Sequence, residues 1–272
     1  MVKTAVDPRS NGSCLYLEFI MFQDLPSLAH RLERAQALQN EGFNRAAGGH
    51  SLDVGNGFAH FRGVAHPLNQ ALGLTDPVFE ADLEAIESFL GEPTVLELSP
   101  YADAGLWPML ARRGYRLHQF QQLWLRTLEA APPASPETGI RLARPDEAWT
   151  YNRLVAAGFM SRDDWRDLEP PFEMSLDLDF AWGFLAYVNE EPAGAGMLGI
   201  VGGVALLSGD GVLPRFRGRG LQKALIRARL AFAGVRGCDL ACASTAPGTA
   251  SQQSYEACGF RVAYPKVEMA LG

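Results

Sequence analysis

At 272 residues, with 47% hydrophobic and 20% charged side chains, the chain is long enough for two domains that each bury a core. A formal charge of −7, with 10 basic and 16 acidic side chains in residues 1–137, argues against a general nucleic-acid binder. Four cysteines (Cys14, Cys238, Cys242 and Cys258) are too few for a disulfide framework. Cys238 and Cys242 form a lone CxxxC with no histidine in the C-terminal half, so buried thiols and no metal are expected.

In chain order, the first apolar run, Cys14–Phe22, is short and interrupted by Glu18. It is no membrane span and no leader pattern precedes it, so a soluble, cytoplasmic protein is expected. The segment Glu129–Gly139 carries three prolines without apolar periodicity. It reads as a linker, setting domains at 1–130 and 140–272 with 131–139 between them. Beyond it, Gly203–Leu213 is predicted as a strand and Gly220–Gly234 as an amphipathic helix that Gly237 stops. Leu240–Ser244 follows as a buried strand, completing a βαβ unit.

The two halves match at an offset of 145 residues, with Tyr115 on Phe260, Thr94 on Asp239, Gly73 on Gly218 and Gln70 on Arg215. Each copy is expected to run strand, glycine turn, helix, strand, short helix and a final strand pair.

Between the second copy's strand and helix stands Arg215-Phe216-Arg217-Gly218-Arg219-Gly220. The stretch from Gly211 to Val235 also carries Lys223, Arg227 and Arg229, and no acid. A helix N-terminus offers unpaired N–H groups and partial positive charge, and glycines let the backbone approach a pyrophosphate. A P-loop needs a lysine where Leu221 stands, and a dinucleotide fingerprint needs a small residue where Lys223 stands, so both are excluded.

What remains resembles the central R/Q-x-x-G-x-G/A motif of the GNAT superfamily of acyl-CoA N-acyltransferases. The later SQQSYEACGF resembles its closing signature, with Tyr255 four residues before Gly259-Phe260. The resemblance covers about residues 138–272 and implies an α/β fold: two tandem GNAT-like domains, each a mixed, mostly antiparallel sheet flanked by helices. It implies that the backbone of Gly211, Val212 and Leu213 pairs with pantetheine. Arg215, Phe216, Arg217, Gly218, Arg219, Gly220 and Leu221 then hold the pyrophosphate of acetyl-CoA. An N–H near Val212 would face the developing oxyanion, and Tyr255 would be the general acid for the thiolate. Many members carry Asn seven residues before the Tyr; here Gly248 stands there, and Ser251 or Thr249 is the candidate replacement.

Asp210 is the candidate base, with Glu173 behind it, because all five histidines (His30, His50, His60, His66 and His118) lie in the N-terminal half. The acidic, aromatic stretch Met160–Phe180 could receive a cationic amine, but a solvated charged helix face is the favoured reading of the same residues. In the first copy Gln70–Thr75 replaces the arginine loop, and Asp76, Glu80, Asp82 and Glu84 would repel a pyrophosphate. That copy is expected to wall the amine site rather than bind CoA. The expected function is acetyl transfer from acetyl-CoA to a small primary amine, without metal, nucleic acid or membrane partner. A non-catalytic acyl-CoA sensor and transfer from aminoacyl-tRNA are the alternatives.

Overall fold

The computed structural model describes residues 24–128, 139–171 and 173–272. Cys14, the run Cys14–Phe22, Phe172 and all but Gly139 of the linker lie outside the described residues.

The N-terminal half begins with α1 (Leu25–Ala46), which buries Ala29, Leu32 and Phe43 on one face. A hairpin follows, β1 (His50–Val54) against β2 (Gly57–Phe61), then β3 (Gln70–Leu72) and α2 (Glu80–Leu90). The half closes with β4 (Thr94–Leu98), α3 (Leu106–Arg113) and the long β5 (Arg116–Thr127). The C-terminal half runs β6 (Ile140–Leu142), α4 (Ala148–Met160), β7 (Ala181–Val188), β8 (Glu191–Val201) and β9 (Val204–Val212). It ends with α5 (Leu221–Val235), β10 (Leu240–Thr245), α6 (Ala250–Ala257) and β11 (Arg261–Leu271). The expected βαβ unit is present, since β9 and β10 pair in parallel across α5.

All strands join one 11-stranded sheet in the order β1-β2-β3-β4-β11-β5-β10-β9-β8-β7-β6. The last strand of each half lies between strands of the other: β11 pairs with β4, β5 pairs with β10, and β5 and β11 pair with each other. The final strand pair expected within each copy is therefore corrected to one long strand per copy, paired between copies. Neither β5 nor β11 contains a turn that could fold it back on itself.

A buried ionic cluster fixes this exchange. Lys266 of β11 is fully buried, and its Nζ lies 2.9 Å from Glu33 of α1, 3.0 Å from Gln36 Oε1, and against Glu97 of β4. The Tyr264 hydroxyl donates to the other Glu33 oxygen at 2.9 Å. Removing one partner from such a cluster leaves an uncompensated buried charge, which typically costs about 3–5 kcal/mol.

The offset of 145 holds from the helix ends onward, where Leu90 matches Val235 and Arg116 matches Arg261. Ahead of the helices it fails. Gln70–Leu72 is strand β3, so the first copy's loop is residues 73–79 and not Gln70–Thr75. The cause is helix length: α5 has 15 residues and α2 has 11, a difference of one turn.

His60 of β2 is buried and pushed down to about 4, by burial first and by the nearby Arg62 second. An imidazole in the unfolded chain titrates near 6.5, so between these values the unfolded state binds more protons. The stabilisation is full above pH 6.5 and is lost as the pH falls towards 4, by an amount on the order of 3 kcal/mol. Urea unfolding of wild type and His60→Gln should show a steeper loss of stability across this window in the wild type. Parallel pH profiles would contradict it.

Candidate active site

The site lies where two parallel strands part. β9 and β10 are paired over Val204–Leu207 and Leu240–Ala243, and beyond that both continue without pairing to each other. The parting opens a cleft of about 890 Å³. A register break between β8 and β9 and a positive φ of 58° at Gly209 bend β9 at its mouth. Helix α4 lies directly on the bent strand. A Cβ on Gly158 would stand 2.4 Å from the Gly211 Cα, and one on Gly211 would stand 2.8 Å from the Leu154 carbonyl oxygen. Side chains at either position would push helix and strand apart.

The loop after β9 makes a short 3-10 turn, Pro214–Phe216, that buries the Phe216 ring. Gly218 and Gly220 then take φ values of 74° and 78°, and Gly220 caps α5. In the left-handed region a side chain is strained, which is the local reason for glycine at both positions. The first N–H groups of α5, at Leu221, Gln222 and Lys223, have no helical acceptor and belong to residues that line the cleft.

The structure brings together most of the residues expected from sequence. Asp210, Gly211, Val212, Phe216, Arg217, Gly218, Gly220, Leu221, Ser251 and Tyr255 all line the cleft. Three expected ligands do not line it. Leu213 is fully buried and its N–H is used by the Ala193 carbonyl at 2.9 Å. Arg215 faces away, its guanidinium held by Asp163 and, at 2.5 Å, by Glu191. Arg219 lies over the Phe216 ring, 5.4 Å from its centroid. Arg217 is thus the loop arginine at the cleft, pinned by the Val212 and Gly158 carbonyls at 3.2 and 2.8 Å. Both candidates for the missing asparagine line the cleft, Thr249 also serving as the cap of α6 by accepting from the Gln252 N–H.

Tyr255 and Asp210 meet at the centre. The Tyr255 hydroxyl donates to Asp210 Oδ2 at 2.7 Å, and Asp210 Oδ1 lies 2.5 Å from Arg229 Nη1. Arg229 is fully buried, and it also donates from Nε to the Leu225 carbonyl at 3.0 Å and from Nη1 to the Met197 carbonyl at 2.9 Å. Burial first, then the Asp210 charge, raises the Tyr255 phenol well above its ordinary range. The hydroxyl therefore keeps its proton near neutral pH. Sequence reasoning placed Arg229 in a basic patch and missed this role. The available signal was a charge at the i+4 position between Leu225 and Ala233, on the buried stripe of α5.

A second cavity, of about 290 Å³, opens behind the same strands and shares Phe159, Leu207, Ser208, Gly209 and Ser244 with the cleft. Its remaining wall comes largely from the N-terminal half, including Gln36, Gln39, Arg62 and Glu97. From the acidic stretch, Glu173 and Met174 reach it, whereas Asp163 and Asp164 are tied to Arg215 and Arg162 outside. None of the five histidines lines either cavity. Among the described residues no cluster of metal-ligating side chains occurs and no helix is long and apolar enough to cross a membrane. Cys238, Cys242 and Cys258 are buried free thiols.

A parted βαβ edge, a glycine-capped helix and the Tyr255–Asp210 pair share this one cleft. Residues 150–260 match the acetyltransferase (GNAT) family. No curated protein matches the chain. Many solved structures share its fold, three of which follow. A GCN5-related N-acetyltransferase from Kribbella flavida is 17% identical over 89% of this chain and 95% of its own, with a TM-score of 0.61. A GNAT-family protein from Novosphingobium aromaticivorans is 20% identical over 89% and 97%, with a TM-score of 0.56. A tandem GNAT protein from the clavulanic acid biosynthesis pathway is 16% identical over 80% of each chain, with a TM-score of 0.51. Residues 150–260 are thus similar to the GNAT acetyltransferase family, and the whole chain has a fold shared with GNAT-family structures.

Arg229→Met should destabilise the fold by about 3–5 kcal/mol, because Asp210 would be left buried and unpaired. Adding Asp210→Asn removes the stranded charge and should recover part of the loss in thermal unfolding. A double variant no more stable than Arg229→Met would show that Asp210 is not what Arg229 compensates.

Proposed function

We propose that the chain transfers the acetyl group of acetyl-CoA directly to a primary amine of a small molecule, with both substrates bound together. The observation that carries this reading is the meeting of the two cavities at Ser208, Gly209 and Ser244, beside the Tyr255–Asp210 pair. A thioester laid along the free edge of β9 would present its carbonyl to an amine arriving from the second cavity. The pyrophosphate would sit on the α5 N-terminus, with Arg217 and Lys223 adding charge.

The amine nitrogen attacks the thioester carbonyl, a C–N bond forms and the C–S bond breaks. Tyr255 gives its proton to the departing sulfur, and the proton shed by nitrogen is taken up by Asp210. Transfer of that proton to the Tyr255 oxygen resets the pair, so protons balance over the cycle. Arg229 holds the Asp210 carboxyl group in line with the Tyr255 hydroxyl, and a backbone N–H near Val212 faces the developing oxyanion. Acetyl is the acyl group and an amine the acceptor in this reading, which draws its support from the family and from the geometry of the two cavities.

Tyr255→Phe tests it. Release of free CoA thiol in the presence of an amine panel should fall about 10²-fold or more in kcat, while acetyl-CoA affinity stays within about threefold of wild type. Unchanged turnover would remove Tyr255 from the chemistry. Binding of acetyl-CoA with no turnover of any amine would favour an acyl-CoA sensor.

A further inference from the structure

The walls of the second cavity carry charges, and all but one are compensated. Glu97 lies against the buried Lys266, and Glu173 has Arg153 4.0 Å away. Arg62 is the exception. Its Nε donates to the Asn44 side-chain oxygen at 3.1 Å, and its two terminal nitrogens pair with no carboxylate among the described residues. Burial lowers its pKa, and no acid offsets that shift. A guanidinium partly removed from water with no counter-anion is costly unless a ligand supplies the charge.

The position of Arg62 adds a direction. It stands just beyond β2, in the N-terminal half, whereas Ser208 and Gly209 belong to the C-terminal half, where the cavity joins the cleft. A molecule filling this cavity has its reacting end at Ser208 and Gly209 and its far end at Arg62. Near Ser208, the Gln39 amide donates to the serine hydroxyl at 3.4 Å, and its buried Oε1 has no partner among the described residues. The second cavity's own wall near Ser208 thus offers neutral dipoles, with the Asp210 carboxylate of the cleft next along the strand to take the proton the amine must lose. Among the described residues, the uncompensated charge on the wall is the cation.

We infer that the acceptor is an amine that also carries a carboxylate, of amino-acid size, with the carboxylate seated on Arg62 and the amine at Ser208 and Gly209. This rests on the proposed acetyl transfer and narrows its substrate class. The planar guanidinium takes a carboxylate through two parallel N–H···O bonds, which positions the amine as well as binding it. The N-terminal half then selects the acceptor while the C-terminal half performs the transfer.

The test uses the full chain and matched pairs of amines: L-alanine with ethylamine, 4-aminobutyrate with n-propylamine, and L-ornithine with putrescine. Each is assayed for acetyl-CoA-dependent thiol release, with acetyl-CoA binding measured separately by calorimetry. At least one carboxylated member should exceed its partner about tenfold or more in kcat/KM, the size expected for one charge-assisted contact. Arg62→Gln should erase that preference by raising KM for the carboxylated amine alone, with acetyl-CoA affinity unchanged, and Arg62→Lys should restore part of it. Equal rates within every pair would overturn the inference, as would an equal loss on both members in Arg62→Gln. Acetyl-CoA binding without turnover of any panel amine would overturn it too. Failure to bind acetyl-CoA at all would instead sink the transfer reading on which it rests.

Discussion

The pairing of β5 with β11 is the constraint on which the rest of the molecule depends. Each is the last strand of its half, and each has its other edge filled by a strand of the opposite half. Neither half can satisfy its backbone hydrogen bonds alone, because removing one strips both neighbours from the last strand of the other. The Lys266 cluster sits where β11 crosses into the N-terminal half, so slippage of that strand would strand two buried carboxylates. Register between the halves is therefore held by charge as well as by the ladder.

That coupling places α1 over the C-terminal strands. Gln36 and Ser244 meet at 3.2 Å, and Arg31 closes a bidentate pair with Asp239 at 2.7 and 2.5 Å. The gap between β9 and β10 would otherwise be open to water on the side away from the cofactor cleft. Gln36, Gln39, Asn40 and Phe43 of α1 line that side of the second cavity. The N-terminal half thereby supplies much of the wall of the second cavity. The first copy's own loop offers Asp76 and a helix that opens with Glu80 and Asp82, charges of the wrong sign for a pyrophosphate.

Much of the cofactor side was legible in the sequence. The glycines at 218 and 220, the helix after them and the parallel strands around it are local features, written in short-range spacing. Tyr255 was legible because its spacing to Gly259 and Phe260 recurs with the helix-and-turn geometry that sets it. The arginines were less so. Arg215, Arg217, Arg219 and Arg229 look alike in a linear basic run, yet one is tied to two acids, one lines the cleft, one covers a ring and one is buried under the site. Which fate each meets depends on Glu191, Asp163 and Asp210, residues that only folding brings near. The strand exchange was illegible for the same reason: β5 and β11 read as good strands, and nothing local tells a strand whose neighbour it will join. The one-turn difference between α2 and α5 hid the true place of the first copy's loop, since an ungapped offset cannot register a helix that lengthens.

The account stands or falls on one acyl-CoA site at the start of α5. Calorimetric titration of the full chain with acetyl-CoA, beside a variant carrying Gly218→Ala and Gly220→Ala with its folding checked by circular dichroism, measures this directly. One equivalent bound by the wild type and lost in a folded variant is the predicted result. No binding by the wild type, two equivalents, or binding that survives both substitutions would contradict it.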